Sequence, residues 1–235
     1  MQAMGQNVYA RRSILLGTAA AGILLALPGC AGTGGLGGAP SLVDVVRRLL
    51  EHATRHAFAT LTAPDGFWNS AVSRIELPVL FGRPGSALQG VLASAAFRDQ
   101  LQHKLNNVAE AGAKRAAPVV ADAVRSMSVA DAVSIIKGGP TSATSLLRQQ
   151  MGAELVNAMI PALDDALRVA NDPLIGQALK LLTGVDLNQV GHAVALNADS
   201  AIWYEIGNAE TEVRRNPEKT NDPVLIAALK GASLL

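Results

Sequence analysis

The sequence of 235 residues has little of several features that mark common classes of protein. It contains one cysteine, Cys30, so it cannot form an internal disulfide or a multi-cysteine metal site. Aromatic residues make up only 3% of the chain, and strand-like alternation is nearly absent, which argues against a β-rich fold. Apolar residues nevertheless reach 49%, as expected of a packed globular protein.

The chain also lacks an excess of charge of either sign. It has 20 basic and 19 acidic residues, a net charge of +1. Residues 1–29 contain Arg11 and Arg12 and no acidic residue, so the remainder has 18 basic and 19 acidic residues. The basic residues form no long run, and their pairs are typical of solvated helix faces. We therefore expect no nucleic-acid partner.

The first 29 residues are typical of an export signal. Arg11 and Arg12 precede about 15 apolar or small residues, which as a helix reach about 22 Å and fall short of a hydrocarbon core of about 30 Å. The stretch RRSILL resembles the twin-arginine export motif, but general secretory signals need the same positive charge. We predict that residues 1–29 are a signal peptide, and both export routes stay open.

The single cysteine ends this segment, in the stretch LPGC. These residues resemble the lipobox of bacterial lipoproteins, in which the cysteine is lipidated and becomes the first residue of the mature protein. The resemblance implies that Cys30 attaches the protein by lipid to the periplasmic side of the bacterial cell envelope. Ala31 and Gly32 follow without an acidic residue, which resembles outer-membrane sorting in bacteria with two membranes. The alternative, a buried thiol, is disfavoured because the glycine-rich flank offers no core.

Residues 30–40 are predicted to be a flexible tether, and residues 41–235 a single helical domain. The tether holds five glycines and no charged residue. Ser41 and Asp44 are spaced as a capping box for a first helix. Helical apolar spacing then recurs along the chain and predicts an all-α fold of about seven to nine helices. Its later helices are predicted at 173–182, 187–213 and 223–231.

Three further signals predict where helices begin or break. Pro118 is placed at the first turn of a helix. Ser128 and Asp131 are spaced as a second capping box. Pro161 is expected to kink or interrupt the helix that contains it.

Residues 63–85 are predicted to form one long irregular segment. It holds Phe67, Trp68 and Phe81, half of the Phe and Trp residues of the chain. Segments of this length without a helix are often functional or held across a surface. Two interpretations stay open, a binding loop or a strap whose aromatic rings fill the helical core.

Three blocks of sequence resemble a known family. In chain order they are DGFWNSAVSRIELP, KLNNVAEAGAKRAAPVVADAVRSMSVADAVSIIKGGPTSAT and EVRRNPEKTNDPVLIAALKG. They are similar to the bacterial family catalogued as domain of unknown function 4197, over roughly residues 41–231. The resemblance implies an exported, mostly helical protein with no established activity.

No local catalytic motif is evident in the sequence. It lacks the GxSxG of a serine nucleophile and a glycine loop placed to bind phosphate. His52 and His56 are four residues apart, a spacing that metal sites use, but no third ligand stands in a recognisable motif. We therefore interpret them as exposed histidines and predict no metal and no cofactor.

Glu210 and Arg214 are the most informative charged residues. They are four apart in the order that favours an ion pair on a helix, and the family resemblance places an acid and a base at the same positions. One interpretation is a structural salt bridge on the last long helix. The other is a cleft lined by Arg74, Glu210 and Arg214 and floored by Trp68, which binds an anionic or amphiphilic envelope ligand.

Taken together, these features predict a lipid-anchored envelope protein with a non-catalytic binding or scaffolding role. Its partners would be the membrane, through the lipid, and an envelope protein, lipid or cell-wall component. The alternative is an envelope enzyme whose site no motif reveals. A deep pocket with converging acid, base and amide groups would favour the enzyme, and a shallow groove or a filled core would favour the binder.

Overall fold

The computed structural model describes residues 40–77, 94–169 and 187–232, and it is to these that every structural statement here refers. They form eight α-helices and a 3₁₀ turn, without a strand. The helices are α1 (Leu42–Leu61), α2 (Gly66–Asn69), α3 (Ala95–Ser126), α4 (Ala132–Lys137), α5 (Ser142–Met151), α6 (Glu154–Val169), α7 (Leu187–Arg215) and α8 (Pro223–Ala232), and the 3₁₀ turn is Pro217–Thr220. The predicted all-α fold is confirmed.

Several predictions fall outside the described residues. They are the signal peptide at 1–29, Cys30 and nearly all of the tether, Phe81, and the helix at 173–182. Within the described ranges, no helix combines the length and the apolar character that crossing a bilayer requires.

Four long helices make the body of the fold. Helices α1 and α6 each pack against both α3 and α7, and α3 also touches α7. Helix α1 shows why the core forms there, because its apolar residues recur every three or four positions and so share one face. The fully or almost fully buried apolar residues on that face are Val45, Val46, Leu49, Leu50, Ala53, Ala57 and Leu61.

The start of α1 is fixed by the predicted capping box. The backbone N–H of Asp44 donates to Ser41 Oγ at 3.2 Å, and the Ser41 N–H donates to Asp44 Oδ2 at 3.1 Å. The two reciprocal bonds satisfy donors that the first turn of a helix leaves free. The hydrogen bonds from Ser41 lower the pKa of Asp44.

The two internal prolines do not end their helices. Pro118 lies inside α3, which runs unbroken for 32 residues, and Pro161 lies inside α6. The prediction of a helix start at Pro118 is therefore wrong, and of the two outcomes predicted at Pro161 the interruption is wrong, while the kink stays a prediction. Both prolines are exposed, so the carbonyls that they leave unpaired lie on the side of the helix that water reaches.

The second predicted capping box has different members. Asp131 is the N-cap of α4, and its carboxylate accepts from the Ser134 backbone N–H at 2.9 Å and from Ser134 Oγ at 2.6 Å. Ser128 instead donates its backbone N–H to Gln150 Oε1 at 3.1 Å. The prediction that Ser128 caps this helix is wrong, because its backbone is already paired with α5.

One glycine sets how closely two long helices approach. A Cβ atom at Gly112 on α3 would lie 2.9 Å from Leu163 Cδ2 on α6, closer than carbon atoms pack. Gly112 is fully enclosed in the helix pair, and Leu163 is completely buried. The missing side chain therefore lets α6 seat its leucine against the α3 backbone.

Candidate functional site

Glu210 and Arg214 form a buried ion pair on α7. Arg214 Nε donates to Glu210 Oε1 at 2.8 Å. The Glu210 side chain is fully buried, and that of Arg214 is 11% exposed. The ion pair that the four-residue spacing predicts is confirmed.

The carboxylate of Glu210 also holds the start of α5. It accepts from the backbone N–H groups of Ala143 at 3.0 Å and Thr144 at 2.7 Å, and from Thr144 Oγ1 at 2.6 Å. A carboxylate at this place satisfies free amide donors and opposes the positive end of the helix dipole. Glu210 thus acts in place of a capping residue for α5, although it belongs to another helix.

Arg214 connects the same network to α4. Its guanidinium donates to the carbonyls of Ile136 at 2.8 Å and Ile135 at 3.0 Å, and to Ser142 Oγ at 2.9 Å. Positive charge near these last carbonyls of α4 is favourable for the helix dipole. We call Glu210, Arg214 and these partners the Glu210 network, and it ties α4, α5 and α7 together.

Trp68 and Arg74 form a second group, at the other predicted end of the site. The Arg74 guanidinium lies 4.3 Å from the centre of the Trp68 ring, and Arg74 Nε donates to the Trp68 carbonyl at 2.6 Å. The Trp68 ring in turn lies 4.8 Å from the ring of His103 on α3. This stacking of a cation on an aromatic ring fixes an otherwise mobile side chain.

The short helix that carries Trp68 is held by acidic groups that the sequence did not reveal. Asp65 precedes it in a left-handed conformation, at φ +58°, and its Oδ1 lies 2.6 Å from His103 Nε2. Glu110, on α3, lies near the backbone N–H groups of Gly66 and Asp65. Glu110 is buried, its Oε1 has no partner among the described residues, and burial raises its pKa.

The structure places the four predicted residues in two pairs on different sides of α7. Ser73 Oγ, beside Arg74, donates to Glu205 Oε1 at 2.6 Å. Glu210 is five residues further along α7, which corresponds to about 140° of rotation and about 7.5 Å of rise. Trp68 is therefore brought together with Arg74, and Glu210 with Arg214, while each pair has its own partners.

An open groove crosses α7 between the two pairs. On one side of Tyr204, a depression of about 470 Å³ lies against α5 and includes Thr141, Arg148 and Asn208. On the other side, a depression of about 330 Å³ lies against residues 72–76 and includes Arg74, Glu76 and Asn197. Ser200 and Tyr204 line both depressions. We call the two depressions together the Tyr204 groove.

Each of the two pairs fixes one wall of the Tyr204 groove. Thr144 lines the groove and is bonded to Glu210, so the Glu210 network positions the α5 wall. Arg74 lines the opposite wall and rests on Trp68. The residues predicted as a cleft thus shape a groove from either side, and only Arg74 lies in its lining.

Asp199 organises the aromatic floor of the groove. Trp203 Nε1 donates to Asp199 Oδ1 at 2.9 Å, which keeps this tryptophan buried with its polar edge satisfied. Asp199 Oδ2 also lies 3.5 Å from the guanidinium of Arg148, whose side chain is 54% exposed. Burial raises the pKa of Asp199, and the bond from Trp203 and the charge of Arg148 act against that rise.

Two other depressions are lined in part by α1. The larger, about 650 Å³, lies between α1 and α3, and its hydroxyls on Thr54 and Thr62 already donate to carbonyls of α1. The smaller, about 310 Å³, is lined by His52 and His56. His56 is exposed, as expected, but His52 is partly buried, and burial lowers its pKa. Nowhere in the described ranges do three or more His, Cys, Asp or Glu residues come together as metal ligands.

Sequence reasoning missed Tyr204, Asp65, His103 and Glu110. Asp65 and His103 are 38 positions apart, so no local spacing in the sequence predicts their contact. Tyr204 follows the buried Trp203 directly, and adjacent residues on a helix point about 100° apart. Which of the two aromatic residues meets water depends on the packing of α5 and residues 72–76.

Comparison with known proteins places the chain on one family model. The model described as a protein of unknown function (DUF4197) matches residues 38–229. That range takes in the Glu210 network, the Trp68 and Arg74 pair, and the whole Tyr204 groove. No curated protein and no solved structure matches the chain.

Proposed function

The chain belongs to the DUF4197 family of proteins of unknown function, and from this premise we propose that it is a lipid-anchored protein of the bacterial cell envelope. In this proposal its helical domain binds an envelope component and catalyses no reaction. Cys30 is the attachment point, residues 31–40 are the tether, and the Tyr204 groove is the binding surface.

The Tyr204 groove is the observation that carries the binding role. It is shallow and open, and the side chains of Thr141, Asn197, Tyr204 and Asn208 make no hydrogen bond or ion pair within the described residues. Unpaired donors and acceptors around an exposed aromatic ring suit recognition of a ligand. A surface of this kind can hold a partner while most of the partner remains in water.

The candidate acid and base support binding over catalysis. A catalytic acid or base must reach the proton that it transfers, to within hydrogen-bond distance or through one water. Glu210 is fully buried, and its two oxygens are engaged by Ala143, Thr144 and Arg214. These bonds make the pair a structural element of the fold.

An enzyme would have to draw on the pair formed by Asp65 and His103. Their 2.6 Å contact, the shorter of the two contacts between a histidine and an aspartate in the described ranges, has the chemistry of a general base held by a carboxylate, and Asp65 holds a left-handed backbone conformation. The His103 ring, however, lies 4.8 Å from Trp68, and its Nε2 is bonded to Asp65. The arrangement supports a role in seating α2 on α3.

The anchor is tested by the substitution Cys30→Ser in the full chain. We expect the wild-type protein to fractionate with membranes and to carry a diacylglycerol group by mass spectrometry. The variant should enter the soluble periplasmic fraction or stay unprocessed. Thr33→Ser, three residues further on, is the matched control and should behave as wild type. A Cys30→Ser protein that is still processed and still membrane-bound contradicts the anchor.

The binding role is tested by photo-crosslinking in intact cells. A benzophenone amino acid is placed at Asn208 in the groove and, as a control, at Val133, which is 47% exposed on α4 away from it. We expect a discrete crosslinked species from position 208 and none from position 133. Equal labelling at the two positions, or none at either, contradicts a binding groove.

A further inference from the structure

Tyr204 presents an aromatic ring to water, whereas the other Phe, Trp and Tyr side chains of the described residues are buried or partly buried. It is 50% exposed, whereas its neighbour Trp203 is 3% exposed and Ile206 is fully buried. Among the aromatic side chains that the structure describes, Tyr204 alone is exposed. The C–H face of a sugar ring packs on such a surface, while the sugar hydroxyls remain free to bond at its edges.

The groups around this ring match the hydrogen bonding of sugars. Asn208 and Thr141 lie on one side of Tyr204, and Asn197 lies on the other. Amides and hydroxyls both donate and accept, as sugar hydroxyls do, and these three side chains have no partner in the described parts of the chain. An aliphatic chain in the same place would leave them unpaired, which costs free energy.

The shape of the groove suits a chain of sugars. Ser200 and Tyr204 line both depressions, so the two adjoin on the surface of α7. A ligand seated on Tyr204 can therefore extend toward α5 in one direction and toward residues 72–76 in the other. One ring on the aromatic face with neighbours on either side is the arrangement that a linear glycan offers.

Charge sets the kind of glycan. The lining contains the cations Arg148, toward α5, and Arg74, toward residues 72–76, against one anion, Glu76. Arg148 is half exposed, and its ion pair with Asp199, at 3.5 Å, leaves donors of the guanidinium free. Arginine binds carboxylates through paired hydrogen bonds, which favours acidic sugars over neutral ones.

We propose that the Tyr204 groove binds a linear glycan that carries carboxylate groups, with one sugar ring packed on Tyr204 and a carboxylate at Arg148. This inference rests on the proposed binding function and adds the chemical class of the ligand. Arg74, held on the Trp68 ring, contacts the same chain at its other end. The Glu210 network keeps the α5 wall in register with α7, so that both ends are engaged together.

The inference is tested by calorimetric titration of the full-length protein, purified in detergent, with two hexasaccharides. Hexagalacturonate is the acidic probe and maltohexaose the neutral one. We expect the acidic probe to bind more tightly. Tyr204→Ala should weaken its binding about fivefold, equivalent to about 1 kcal/mol, and Tyr204→Phe should retain it. Arg148→Gln should abolish the preference for the acidic probe.

The control variant is Leu196→Ala. Leu196 lies on α7 as Tyr204 does and is 49% exposed, but it does not line the groove. Its binding should equal that of wild type, and circular dichroism should show that all variants keep their helices. Absence of binding by both hexasaccharides overturns the inference, and so does equal binding by wild type and Tyr204→Ala.

The crosslinking experiment separates the two proposals. If position 208 captures a species in cells that glycan-degrading enzymes remove, the glycan inference is supported. If mass spectrometry of that species identifies a captured peptide or lipid instead, the groove binds, but the glycan inference falls. If nothing is captured at position 208 and neither probe binds, both proposals fall together.

Discussion

Glu110 shows how burial sets the chemistry of one side chain in this protein. It is 7% exposed and faces Lys114 along α3 and Asp65 from the loop before α2. Burial is the largest influence on the pKa of Glu110 and raises it, whereas the positive charge of Lys114 lowers it. Because the folded state holds this proton more tightly than the unfolded state does, ionisation of Glu110 works against folding.

The substitution Glu110→Gln should therefore change how stability depends on pH. Protonated Glu110 contributes to the free energy of unfolding of the wild-type protein. That contribution is lost as pH rises from 4.5, the ordinary pKa of a glutamate, through the raised pKa of Glu110 in the folded state. The variant cannot ionise, so it does not lose stability in this way. We expect its free energy of unfolding, relative to wild type, to increase between acid and neutral pH in urea titrations.

Asp99→Asn is the control for that experiment. Asp99 is an exposed carboxylate on the same helix. Its substitution should leave the pH profile of stability parallel to that of wild type. Parallel profiles for Glu110→Gln as well would show that burial of Glu110 does not govern the pH dependence.

At the residue scale, the sequence predicted contacts within one turn and missed contacts between distant segments. Ser41 with Asp44 and Glu210 with Arg214 were predictable because helix geometry alone brings such positions together. The additional bonds of Glu210 to residues 143 and 144 join positions 66 or 67 apart. These bonds form only because α5 packs on α7, so no local sequence pattern predicts them.

At the scale of elements, the Glu210 network joins three helices through one buried carboxylate. Helix α4 has only six residues and α5 only ten, lengths at which an isolated helix is not stable in water. Both are held at the ends that face α7, by Arg214 and Glu210 respectively. The stability of these two short helices should therefore depend on the network.

Glu210→Ala should destabilise the protein by about 3 to 5 kcal/mol, the typical effect of leaving a buried charge without its partner. The expected cause is that Arg214 and the amides of Ala143 and Thr144 lose their acceptor. The measurement is urea unfolding followed by circular dichroism at 222 nm. Glu210→Gln, which keeps an acceptor but loses the charge, should fall between wild type and Glu210→Ala.

Glu212→Gln is the matched control for the network. Glu212 lies two residues from Glu210 on α7 and pairs at the surface with Lys219, at 2.6 Å. Exposed pairs contribute little to stability, so this variant should unfold close to wild type. Equal effects of the substitutions at positions 210 and 212 would contradict a special role for the buried carboxylate.

Helices were easier to predict from the sequence than their boundaries. Apolar spacing predicted α1, α7 and α8 within a few residues, because each buries a stripe of side chains. The helix start predicted at Pro118 was wrong, since a sequence does not show whether this proline faces the core or water. A proline on the solvent side removes one backbone bond and leaves the helix continuous.

At the scale of the whole molecule, the described core begins with α1. The first buried apolar residue that the structure describes is Val45, and the capping box at Ser41 starts the helix without help from other segments. Removal of residues 1–39 should therefore leave the midpoint of thermal unfolding unchanged, measured by circular dichroism.

A second truncation provides the comparison. Removal of residues 1–46 takes away the capping box together with Val45 and Val46, which pack in the core. It should lower the midpoint, because α1 loses its first turn and part of its buried face. Equal midpoints for the two truncated proteins would mean that the first turn of α1 does not contribute to the core.

The fold class was predictable as a whole because few aromatics, little alternation and recurrent helical spacing all indicate one answer. The Tyr204 groove was not predictable from the sequence, because it exists only where α5 and residues 72–76 lie on either side of α7. A groove between three segments is a property of their packing order. Composition and spacing constrain that order only weakly.

The packing of α1 directly on α7 has a mechanical consequence. In a protein held at its N-terminal end, any pull on a ligand seated at Tyr204 enters through α7 and leaves through the first residue of α1. The interface between α1 and α7, built on the apolar face of α1, is one direct route for that load. A pull between the two ends of this route would thus act on buried apolar side chains that α1 shares with α7.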